Sequence, residues 1–590
     1  MAGVVSRAPH LSHGSQERLW VFFVGGPVRG RSQHRAPGSR QNRRRPAIME
    51  ARVFVQDVDP VGGSLLVSAL CAALPLVLLF VLLGVLRMKA HRAALVSLTA
   101  ALVLAVVGWG MPVGQALSAA AEGGFYGLFP ILWILVNALW LYRITVDTPW
   151  FDVLGRSIRS VSDDLRILAI LVAFCFGSLL EALAGYGAPV AISAAMLMAA
   201  GMRPMTSALV SLLANTAPVA FGAMAAPIIA LAGVTGLPLD DLSAMAGRQT
   251  PFIALLVPLL LVLMVDGRRG VRQTWPVALV AGFVFGAAKF VTANYLAVEL
   301  TDVVAAVATV AAVLAMLQVW RPAEVVGIVR EDQVEAEPAA VERPAAREMW
   351  FAVAPYLVVM AIFSVAQVPA VKAWLSDVGR VTFDWPGLDV VTPDDEPVGA
   401  QTFTLDHLKA TGTLLLLAGV ATMAMYRVGP RRGLRIYRET LAQLRLTIVT
   451  VTAVLALSFV MNLSGQTTTL GAALASTGAA FAALSPLIGW IGVALTGSDT
   501  SSNALFGQLQ VTAAQETGLS PVLMASANSS AGVLGKMLSL QNLAVAAAAV
   551  GQPGSEPTLF RRLLPWSVGL LVLVTGLVLL QTGPLAWMVP

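Results

Sequence analysis

Stretches 65–86, 93–107, 165–180, 446–460 and 563–580 are almost wholly apolar, over lengths that approach or reach the roughly 20 residues a bilayer crossing requires. A chain with so many such runs belongs in lipid. There the expected architecture is an all-α polytopic membrane protein of about 12–14 transmembrane helices, because a helix satisfies its own backbone groups. Hydrophobic residues make up 57% of 590 and charged residues 12%, about half the charged share typical of soluble domains. The formal charge of +6 does not point to nucleic acid, since Lys and Arg lie in short loops and not in a stripe with interleaved aromatics. Cys71 and Cys175 fall inside apolar runs and read as small buried side chains.

Loop charge sets orientation, because cytoplasmic loops carry the excess of Lys and Arg. The loop with Arg87, Lys89 and Arg92 is basic, 114–125 has neither residue, and the next loop holds Arg143, Arg156, Arg159 and Arg166. That alternation places the start of the first span outside. Arg268, Arg269 and Arg272 mark another inside loop, as does the group from Arg427 to Arg445. Residues 369–409, rich in Asp and poor in Lys and Arg, read as the largest external loop. The charged, Pro-containing stretch 321–349 reads as a cytoplasmic linker between an N-terminal half, 49–320, and a C-terminal half, 350–590. Residues 1–48, with Arg7, Arg18, Arg29 and the run Arg43 to Arg45, contain no membrane-length core. They are either a disordered basic tail or the product of a start assigned too early, with Met49 the true first residue.

Two regions, 177–250 and 462–552, are apolar overall yet broken by Gly, Pro, Asn and Ser at intervals shorter than a crossing. Non-helical backbone at membrane depth survives only where it is buried in protein or lines a wet cavity. The two regions also share a pattern. The first has Gly201, Pro204, Asn215, Thr216, Gly222 and Met224; the second has Gly518, Pro521, Asn528, Ser529, Gly535 and Met537. From each Asn the spacing is seven residues to Gly and nine to Met. Paired, Gly/Pro-interrupted segments in two halves are the sequence mark of a carrier site between internal repeats. The expectation is broken helices near Asn215 and Asn528, whose half-helix N-termini favour an anionic substrate such as a small carboxylate.

Few charges fall at depth, and each is a functional candidate because burial in lipid is costly. Glu181 is either such a residue or a helix-end side chain reaching interfacial water. Asp499 is either functional or the cap of a Ser/Thr-rich turn. Lys536, one residue past the repeated Gly535, is placed to pair with a substrate carboxylate or with one of these acids. Lys289 reads as a snorkelling side chain outside the site. His10, His13, His34, His91 and His407 have no metal spacing, and no P-loop is present, so neither a metal, a cofactor nor ATP is expected.

Over nearly all of the chain from Val55 onward, the sequence resembles the lactate permease family, carriers of lactate and glycolate with protons across bacterial inner membranes. The resemblance is carried by 176–192, by 214–222, by 497–507 and by Gly535-Lys536-Met537. It departs at Ser539-Leu540-Gln541-Asn542, where the family usually has Ser-Pro-Gln-Ser, and at Ala297-Val298, where Gly-Pro is usual. The resemblance implies a proton-coupled symporter of lactate, glycolate and similar 2-hydroxymonocarboxylates in the cell membrane, not an enzyme. Its substrate contacts would be Lys536, Asn215, Thr216, Asn528 and Ser529, with Tyr186, Asn503 and Ser501 from the matched stretches. Glu181 or Asp499 would take the coupling proton. A sodium-coupled or uncoupled carrier or channel for another small organic anion is the alternative.

Overall fold

The computed structural model describes residues 53–590, apart from Tyr186, 327–343, 393–396 and 399–400. The basic segment 1–48, the core of the expected linker at 321–349, and the candidate contact Tyr186 lie outside the described residues. Among the described residues, eleven helices are long and apolar enough to cross a membrane, or up to twelve when a bent pair counts as one span. The protein is an all-α, multi-pass membrane protein. Its longest helix, Leu239–Tyr295, leaves helical geometry at Asp266 and Gly267 and doubles back there. The two legs pack on glycines: a Cβ on Gly282 would lie 2.5 Å from the Leu255 carbonyl oxygen, and one on Gly286 3.2 Å from that of Pro251.

The expected repeats are present as a hairpin followed by an interrupted helix, twice over. The first hairpin pairs Leu165–Leu183 with Ala188–Ala199, and its legs are joined by the Ser193 hydroxyl donating to the Val172 carbonyl at 3.4 Å. Gly185 (φ +50) and Gly187 (φ +81) make its tip, in a left-handed conformation that glycine adopts without steric cost. There follow Pro204–Ala214 and Val219–Thr235, bent by 62°. The second hairpin pairs Phe481–Thr496 with Asp499–Thr517 around Gly497 (φ +75). There follow Pro521–Lys536 and Leu540–Ala549, parted at 537–539.

The sequence motif does not mark equivalent positions. Asn215 is the C-cap of its half-helix, whereas Asn528 lies inside the unbroken Pro521–Lys536, and the interruption comes at Met537. Identical spacing arose within two different local structures, because Gly222 follows the first break and Gly535 precedes the second.

The bases of the two hairpins have different surroundings. At the base of the first, Arg166 pairs with Asp164 (2.7 Å) and Asp266 (3.0 Å) and donates to the Glu324 carbonyl (2.6 Å). Arg269, paired with Glu324, belongs to this same basic face. The base of the second hairpin packs on helix Gln466–Ala475, where a Cβ on Gly471 would lie 2.6 Å from Thr512. That helix holds the Val58 carbonyl through Thr469 (2.8 Å). Just upstream, Phe54–Val55 pairs in parallel with Val390–Val391 of the segment 369–409. The segment is a small folded cap, with helix Pro369–Gly379 and the antiparallel strands Arg380–Asp384 and Thr402–Asp406. Its Phe403 packs against Phe125 and Tyr126 at 5.1 and 6.2 Å between ring centroids.

Glycines let the second repeat close. A Cβ on Gly535 would lie 2.2 Å from the Trp490 carbonyl oxygen, and one on Gly489 2.1 Å from that of Asn528. Alanine is normally the better helix former by about 1 kcal/mol, yet here it meets backbone that cannot yield, a cost of about 1–3 kcal/mol or more. Gly535→Ala should therefore lower the yield of monodisperse protein in size-exclusion chromatography. Gly569→Ala, in helix Glu556–Gln581 with open space around it, should leave that yield unchanged or raise it.

Candidate functional site

The tips of both hairpins and the interruptions of both helices converge on a cavity of about 50 Å³, room for a few water molecules. Glu181, Gly222, Ala223, Asp499, Lys536 and Gln541 are among the residues around it. Glu181 lies in the last turn of Gly177–Leu183 and is 3% exposed. A helix C-terminus disfavours negative charge, so this carboxylate needs partners. Its Oε1 is 2.5 Å from the Lys536 ammonium, and its Oε2 accepts from the Asn215 amide at 2.9 Å. It does not reach interfacial water. Lys536 ends its own half-helix, where the dipole favours a cation.

Asp499 is the first residue of Asp499–Thr517, but it does not cap that helix. Ser498 takes the role, its hydroxyl accepting from the Ser501 amide at 3.2 Å. The Asp499 carboxylate instead turns to the second broken helix, where Oδ2 accepts from the Ser529 hydroxyl at 2.6 Å. Its Oδ1 has no hydrogen-bond partner among the described residues.

Two helix beginnings face the same space. Ser498, Asp499 and Thr500 bring one; Gly222, Ala223, Ala226 and Pro227 bring the other. Near the start of the second half of the first broken helix, Ala223, Met224 and Ala225 all have positive φ (46°, 54° and 61°). Left-handed backbone at non-glycine residues costs about 1–2 kcal/mol each and persists only where the surroundings impose it. The anion-favouring N-terminus expected at Asn528 is thus supplied by the second hairpin's tip.

Other sequence candidates are placed as follows. The Asn503 amide donates to the Pro227 carbonyl (3.1 Å) and accepts from Asn528 (2.9 Å), and Asn528 accepts from Gln510 (3.2 Å). This chain of amides ties the second hairpin to both broken helices, with Asn503 and Asn528 fully buried. The Thr216 hydroxyl donates to the Leu213 carbonyl at 2.7 Å. Ser501 lines a different space, a vestibule of about 940 Å³ with Arg87, Lys89, His91 and Arg561 on its walls. Ser498 and Gln541 border both vestibule and cavity. Lys289 is not a snorkelling residue: it is fully buried and paired with Asp302 at 3.0 Å. Asp302 sits on the next helix, Thr301–Val319, and the antiparallel return that joins the two is invisible in loop charge.

The sequence profile of a family described as "L-lactate permease" matches residues 68–585. The L-lactate permease of Bacillus subtilis is 41% identical over 566 residues, covering 91% of this chain and 100% of that one. The glycolate permease GlcA of Escherichia coli is 41% identical over 529 residues, covering 86% and 94%. The L-lactate permease of Salmonella typhimurium is 40% identical over 552 residues, covering 91% and 100%. Among solved structures, the YdaH transporter of Alcanivorax borkumensis aligns with a TM-score of 0.39 at 16% identity, over 78% of this chain and 86% of that one.

Proposed function

The chain belongs to the L-lactate permease family, and from that premise we propose that it is a proton-coupled symporter of lactate and related small 2-hydroxymonocarboxylates such as glycolate in the plasma membrane. One observation carries the reading: Lys536 lines the cavity on which two helix N-termini converge. An ammonium and two positive helix ends make an anion site. At rest Glu181 holds that ammonium, so a substrate carboxylate and Glu181 compete for one cation. A proton on Glu181 removes the competitor. Substrate and proton then load together, and their sum is neutral.

Asp499 is the second acid of the site, and its unpartnered Oδ1 would accept the hydrogen bond of a 2-hydroxyl. Asn215 and Ser529 hold the two acids in position. The basic vestibule, with Arg87, Lys89 and Arg561 facing a lone Glu556, draws the anion on the face that loop charge assigns to the cytoplasm. The hairpin tips are the gates, and the Ser498–Gln541 border is the inner one.

Uptake of labelled L-lactate into proteoliposomes tests this directly. Accumulation is expected to follow an imposed inside-alkaline pH gradient and to ignore membrane potential. D-lactate and glycolate should compete, with pyruvate and acetate weaker, because a site built to bond a hydroxyl rejects the analogue without one. Asp499→Asn should narrow the preference for lactate over pyruvate by about tenfold. Sodium-driven uptake indifferent to pH would replace the proton by sodium. Flux that never exceeds equilibrium would make the protein an uncoupled carrier or channel.

A further inference from the structure

Lys289 lies outside the cavity, yet it grips the first broken helix. Its ammonium donates to the Ala217 carbonyl at 2.6 Å, within the unwound stretch that follows Pro204–Ala214. It pairs with Asp302 at 3.0 Å and stands 5.0 and 5.6 Å from the ring centroids of Phe221 and Phe285. Lys289 and Asp302 are both 0% exposed. A carbonyl at the C-terminal end of an interrupted half-helix, joined by a carboxylate, is the donor set with which broken-helix carriers hold a coupling sodium ion. Here the protein supplies the cation from its own side chain. In the second broken helix the matching carbonyl, that of Lys536, receives a neutral donor, the Asn542 amide, at 3.2 Å.

We infer that Lys289 is a tethered substitute for a coupling alkali cation, holding the first interruption in its binding geometry so that transport needs no sodium. It is a positioning residue. Ala217 is next but one to Asn215, whose amide holds Glu181, and Phe221 adjoins Gly222 on the cavity wall. Release of the Ala217 carbonyl would therefore shift the proton-binding carboxylate. This inference rests on the proton-coupled reading in its transport arm alone.

The test compares purified protein in sodium chloride, methylammonium chloride and choline chloride at equal ionic strength and pH. Wild-type protein should unfold thermally at the same temperature in all three. Lys289→Ala should be stabilised progressively by sodium or methylammonium, as a free cation fills the vacated place. Its lactate uptake should fall about tenfold or more in choline, the scale of a lost charge-assisted hydrogen bond, and should recover with either cation. A wild-type protein stabilised by sodium would overturn the inference, as would a folded Lys289→Ala indifferent to cations. The paired variant Lys289→Met/Asp302→Asn guards against misfolding, since neutral replacement of a buried ion pair is commonly tolerated. It should fold and yet fail to restore uptake; wild-type uptake would reduce Lys289 to a counter-ion for Asp302 and overturn the inference. A wild type that carries no lactate defeats the proposed substrate, while the thermal comparison still decides on Lys289.

Discussion

Lys536→Ala is expected to lower lactate uptake by about a hundredfold or more, as the loss of one partner from a buried ion pair costs about 3–5 kcal/mol. The loss is twofold. A substrate carboxylate in the 50 Å³ cavity would face two helix ends with no full charge to meet it. Glu181 would keep only the Asn215 amide. Part of that cost falls on the folded protein, so uptake has to be scaled to the monodisperse fraction. Arginine is no conservative control here, because its planar guanidinium needs room and a fork of acceptors. The informative control is Lys536→Ala/Glu181→Gln, which removes both charges together. It should regain folded yield while uptake stays at background. Wild-type uptake by that double variant would show that Lys536 serves only to balance Glu181.

The chemistry of this site was legible wherever a charge interrupts apolar sequence. Glu181, Asp499 and Lys536 stand out in that way, and the fold brings all three to one cavity. The pairing of Lys289 across helices was not legible. Lys289 reads as a long side chain able to reach water until the return of Thr301–Val319 buries it against Asp302. The paired interruptions were visible as composition but not as register. The Asn–Gly–Met spacing placed the second break at Asn528, yet a break forms where caps terminate and restart helices. At the second site the Ser539 hydroxyl accepts from the Asn542 amide nitrogen of the backbone at 3.3 Å, while the Asn542 side chain donates to the Lys536 carbonyl. Those two residues make the interruption in a stretch that lacks the family's usual proline. Similarly, 369–409 was readable as one loop, but the register that pairs Arg380–Asp384 with Thr402–Asp406 joins strands too far apart in sequence for a short hairpin signature to mark it.

Glu181→Gln should separate binding from coupling. Glutamine keeps an oxygen for the Asn215 amide but presents no charge to Lys536. The ammonium is then free for substrate, so equilibrium binding of lactate should tighten by about tenfold. In the proposed symport, binding to the wild type would consume a proton, so its affinity should weaken as pH rises; in the variant that slope should be flat. Gradient-driven accumulation should vanish, while exchange across preloaded proteoliposomes continues, because substrate alone now completes the site. Asp499→Asn is the counterpart, and it should alter preference among acids while leaving the response to pH intact. The two carboxylates differ in their surroundings. Asp499 stands at a helix N-terminus with the Ser529 hydroxyl donating to it. Glu181 stands near a helix C-terminus and holds its charge through Lys536 and Asn215. When substrate takes Lys536, Glu181 is left with the Asn215 amide alone. A pH slope that persists in Glu181→Gln and disappears in Asp499→Asn would transfer the coupling role to Asp499.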